Sequence, residues 1–105
     1  MELKAGVRLT ALRPQTVLAM IVVQSVCEEW RIPFVVTSCN DGTHSGASLH
    51  YDGRAFDTRT KHPALDGKET AFRDEVAKRL GPDFDVVMEA IGTDNEHLHT
   101  EYDPK

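Results

Sequence analysis

Two periodicities organise the apolar positions of the chain. From Pro14 to about Arg31, apolar side chains recur at Val17, Met20, Ile21, Val23, Cys27 and Trp30, the spacing of a helix, with Pro14 suited to its first turn and Pro33 just beyond its end. The dense run around Leu18 to Val23 predicts that this helix is the main hydrophobic backing of the domain, buried on more than one side. Phe34 to Thr37 are aromatic or β-branched and lead into the polar, glycine-containing stretch Ser38 to Gly46, so they read as a strand running into a loop. A further strand is expected over Arg54 to Thr60.

Asp66 and Glu69 have the spacing of a capping box, which predicts a second helix from about Gly67 to Leu80. Phe72, Val76 and Leu80 share one face of it, and Gly81-Pro82 supplies the stop. Asp85 to Ile91 fits a third strand, Gly92 to Asn95 has turn composition, and His97 to Tyr102 alternates as a last strand. The order helix, strand, strand, helix, strand, strand predicts one α+β domain, a small antiparallel or mixed sheet backed by two helices.

Composition narrows the partners. The 105 residues carry a formal charge of -5, and Lys and Arg are scattered, which argues against a nucleic-acid partner. The longest apolar run, Val17 to Val23, is far short of the roughly 20 residues that span a bilayer, so no membrane segment is expected. Met1 to Gly6 do not open a signal peptide, which makes cytoplasmic synthesis and residence the default expectation. Cys27 and Cys39 are too few and too far apart for a disulfide scaffold; Cys27 reads as a buried helix position.

Histidines and carboxylates gather in two segments, Ser48 to Asp57 and Glu96 to Glu101. Catalytic zinc is commonly held by three imidazole or carboxylate side chains, a count that His50, Asp57 and His99 meet. Six residues separate His50 from Asp57, so the chain must turn between them, and Gly53 is the place to do so. Strand alternation sets His97 and His99 on one face, while Glu96 joins them only if the strand begins after it. Taken singly, a His-x-His pair is more often an exposed strand feature, and an Asp after a turn more often a capping residue. His44 and His62 read as surface residues, and Trp30 and Phe34 as core.

Together, Ser48-x-His50-x-x-Gly53-x-Ala55-x-Asp57 and Glu96-His97-x-His99 resemble the paired motifs of the zinc D-alanyl-D-alanine carboxypeptidases and L-alanyl-D-glutamate endopeptidases. These share their fold with the Hedgehog signalling domain, and their small phage and prophage members are similar to this chain from Val35 to Asp103. The resemblance implies a Hedgehog/DD-peptidase-like fold, Zn2+ on His50, Asp57 and His99, Glu96 as general base and His97 as oxyanion stabiliser, with a peptidoglycan stem peptide as substrate. In the resemblance Ser48 and Gly53 read as structural, Ser48 holding the loop by hydrogen bonding and Gly53 permitting the turn; Ser48 and Arg54 are the candidate substrate-binding residues. The family often carries an arginine in the loop before the first ligand; Ser38 to Gly42 has none, leaving Arg54 or Arg59 to take its place if the fold brings either to the cleft. Access to cell wall would come through phage lysis or delivery in a virion. The same ligands would also serve a non-catalytic structural or virion-associated zinc module, and two histidines with a carboxylate also describe a non-haem iron site, although those sites usually leave one residue between the first pair.

Overall fold

The computed structural model of the chain describes residues 1–9, 12–39 and 53–104. Its α+β architecture is a five-stranded mixed sheet with two helices. The strands are β1 (Glu2–Leu3), β2 (Val35–Ser38), β3 (Ala55–Arg59), β4 (Phe84–Glu89) and β5 (His97–Tyr102); the helices are α1 (Pro14–Glu29) and α2 (Glu69–Leu80). Spatial order is β1-β2-β3-β5-β4, with β1 parallel to β2 and every other pair antiparallel. Neither helix is long and apolar enough to cross a membrane.

Pro14 stands in the first turn of α1, where its missing N–H costs nothing. The helix ends before Pro33 is reached: Arg31 turns left-handed at φ +60°, Arg31 N–H donates to Glu28 O (3.2 Å) and Ile32 N–H to Cys27 O (3.0 Å). That pair of bonds is a Schellman stop, closed by apolar contact between the buried Cys27 and Ile32. Thr16, Ala19, Met20, Val23, Val26 and Cys27 form the buried face. The expectation that α1 is buried on more than one side is corrected: Leu18 and Ile21 are 60% and 59% exposed. Among the described residues, a single sheet and one neighbouring helix leave the outer side of α1 uncovered.

The second helix starts two residues later than expected, and the capping box does not form. Asp66 instead closes a 3-10 turn over Pro63–Leu65, whose first N–H groups are met by His62 Nδ1 accepting from Ala64 N–H (3.0 Å). Lys68 occupies the N-cap of α2 without a side-chain bond, so Glu69 acts through its charge in the first turn. Phe72 and Val76 are fully buried, and Trp30, half-buried, meets the Phe72 ring edge-on at 5.6 Å. The third strand stops at Glu89, short of Ile91, because Ala90 (φ +55°) and Gly92 (φ +84°) turn the chain. Two-residue β1 carries no alternation long enough to have been foreseen.

Candidate functional site

Cross-strand register assembles the site. Asp57 on β3 lies opposite His99 on β5, and Arg59 lies opposite His97; on the other side of β5, Glu89, Val87 and Asp85 of β4 face His97, His99 and Glu101. Alternation places all of these on one face of the sheet. The residues between them, Phe56, Thr58, Val86, Leu98 and Thr100, are buried on the opposite face. One surface of the same three strands is therefore core, and the other is a row of imidazoles and carboxylates, mostly half-buried.

His99 is held from both ends of its ring. Nδ1 lies 2.9 Å from Asp57 Oδ1 and Nε2 lies 2.8 Å from Glu101 Oε1. With two carboxylates as partners, both nitrogens donate and the ring carries a proton. The hydrogen bond to Asp57 is the main cause that lifts its pKa from 6.5 to about 9; partial burial opposes the shift and Glu101 adds to it. Because the folded value lies above the unfolded one, this ion pairing stabilises the metal-free fold fully below pH 6.5, and the contribution is lost as pH rises through about 9. NMR titration of the metal-free protein should give a His99 midpoint near 9; a midpoint at the ordinary 6.5 would contradict the geometry.

His97 faces the same row. Its Nδ1–H donates to the Asn95 carbonyl (2.7 Å), which leaves Nε2 at 3.6 Å from Glu89 Oε1 and 3.8 Å from Asp57 Oδ2. Glu96 precedes β5, within the turn, as the placement of a strand start at His97 requires. It is 2% exposed; Oε1 accepts from Gly92 N–H (3.0 Å), and Oε2 is buried with no hydrogen-bond partner among the described residues.

The two candidate arginines separate. Arg59 is exposed on the face of Asp57 and His97 and borders a small cavity with Pro33, Val35 and His62. Arg54 sits one residue ahead of β3, half-buried, its carbonyl accepting from Tyr102 N–H (2.7 Å) and its Nε buried without a partner among the described residues. Ser48, His50 and His44 lie outside the described residues. Gly53, the expected turning point, has φ +70°, a conformation that glycine adopts without strain. Its carbonyl is anchored by Thr16 Oγ1–H (2.7 Å) and Arg13 N–H (3.1 Å), so the start of α1 fixes the point from which the chain leads back to His50.

The donor atoms of Asp57 and His99, 2.9 Å apart, are close enough to bind one divalent ion together, a proximity that does not single out zinc. A second group, Asp85, Glu101 and Asp103, brings three carboxylates within 4.8 Å of one another on the same region of the sheet. Sequence reasoning passed over Glu101, although its position two residues beyond His99 on an alternating strand was the available signal. Cys27 takes no part: burial pushes its thiol up to about 12, which keeps it protonated. Comparison with protein-family models, curated proteins and solved structures returned no match for the chain.

Proposed function

We propose that this chain is a zinc metallopeptidase domain of the Hedgehog/DD-peptidase type that hydrolyses a peptide bond in peptidoglycan stem peptides. The observation that carries the proposal is the meeting of Asp57 and His99, 42 residues apart, with donor atoms 2.9 Å from each other on a polar sheet face. His50, which lies outside the described residues, is the third ligand in this reading. A bound zinc ion would supply Lewis acidity, lowering the pKa of water toward about 7 and polarising the scissile carbonyl.

The remaining steps belong to side chains. Glu96, held at Oε1 by Gly92 N–H, takes the proton of the attacking water on Oε2 and returns it to the leaving amine. His97 offers Nε2 to the site, since Nδ1–H is committed to Asn95, and it is the side chain proposed to stabilise the developing oxyanion. Arg59 replaces Arg54 as the side chain proposed to meet a substrate carboxylate, being exposed on the site's own face. One observation favours the non-catalytic zinc module instead, namely the 2% exposure of Glu96. Incubating zinc-loaded protein with purified peptidoglycan decides between them: mass analysis should find released D-alanine or fragments cut between L-alanine and D-glutamate. Intact stem peptides after exposure to folded, zinc-loaded protein would contradict the enzyme.

A further inference from the structure

We infer that Glu101 is the positioning residue for His99, holding the ring by Nε2–H so that Nδ1 presents its lone pair beside Asp57 Oδ1. The inference rests on the proposed zinc site and adds to it a carboxylate that the motif does not contain. The two nitrogens of an imidazole point in nearly opposite directions, so one ion engages only one of them. Asp57, the proposed partner ligand, is on the Nδ1 side at 2.9 Å, and Glu101 is on the Nε2 side at 2.8 Å. A neutral imidazole carries one N–H, and whichever nitrogen finds the better acceptor keeps it. When an ion displaces the proton at Nδ1, the Glu101 carboxylate retains the one at Nε2, fixes the tautomer and makes the ring a stronger donor.

The surroundings make this bond favourable for Glu101 as well. It shares a strand face with His99 two residues away, its side chain is only 22% exposed, and the carboxylates of Asp85 and Asp103 approach its own within 4.8 Å. A like-charged cluster of that kind is relieved by a donor, and His99 provides it. Loss of Glu101 takes one of the two carboxylates that hold the His99 ring from the metal-free fold, and takes the brace from the zinc site.

Zinc competition with a chromophoric chelator at a single pH, together with ring 15N spectra of His99, tests the role. Glu101→Ala should weaken zinc binding by about tenfold to a hundredfold, and the slowly exchanging Nε2–H signal of the zinc-loaded protein should disappear. Glu101→Gln, whose amide oxygen still accepts from Nε2–H, should restore most of the affinity. Circular dichroism of both variants checks that the fold is retained. Wild-type zinc affinity in Glu101→Ala, or a wild-type spectrum with zinc on Nε2, would overturn the inference while leaving the zinc site standing. Failure of the wild-type protein to take up zinc would overturn both.

Discussion

Glu96→Gln should lower peptidoglycan hydrolysis by about a hundredfold to ten-thousandfold while leaving fold and zinc content unchanged, the range expected for loss of a general base. The substitution is isosteric, and glutamine's carbonyl oxygen can still accept the Gly92 N–H that Glu96 Oε1 now accepts, so the turn keeps its closing bond. What changes is Oε2, the buried oxygen with no protein partner among the described residues, which becomes an amide nitrogen unable to take a proton from water. Melting curves and metal analysis run beside the assay separate lost chemistry from lost structure. Full activity in the glutamine variant would remove Glu96 from the mechanism.

His99→Ala should have the larger effect on the metal. Apparent zinc affinities of structural sites are about 10–16 kcal/mol, so deleting one of three ligands removes roughly a third, about two to four decades in the dissociation constant. The metal-free protein should suffer too. At neutral pH the protonated ring joins Asp57 and Glu101, and alanine leaves both carboxylates without that donor, a loss of about 1–3 kcal/mol. Because the ring deprotonates near pH 9, the stability difference between wild type and variant should shrink above that pH. Chemical denaturation of the two metal-free proteins at pH 7 and pH 10 measures it; a difference that grows with pH would contradict the assignment.

Much of this architecture is legible along the chain because its strongest elements carry local signals. His97 to Tyr102 alternates cleanly and forms β5 over those residues; Phe72, Val76 and Leu80 mark one face of α2. The misreadings arise where tertiary context decides. Leu18 and Ile21 are as apolar as the buried Met20 and Val23, and only the number of packing partners tells them apart. Asp66 and Glu69 have capping-box spacing, yet Pro63 and His62 start a 3-10 turn that claims Asp66 first. Within the site, alternation alone puts His97 and His99 on one face, but the register that sets Asp57 against His99 joins strands distant in sequence. The burial of Glu96 and the bracing of His99 by Glu101 depend on that register and on the turn at Ala90 to Gly92, neither of which has a motif.

The zinc site itself is tested most directly by metal analysis and zinc-edge X-ray absorption of the purified protein, with His50→Ala and Asp57→Asn as comparisons. One equivalent of zinc bound through two imidazoles and a carboxylate, at about 2.0–2.2 Å from nitrogen and oxygen donors, is the expected result, with binding weakened in both variants. A protein that retains iron, shows sulfur in the zinc shell, or binds zinc equally well after both substitutions would contradict it.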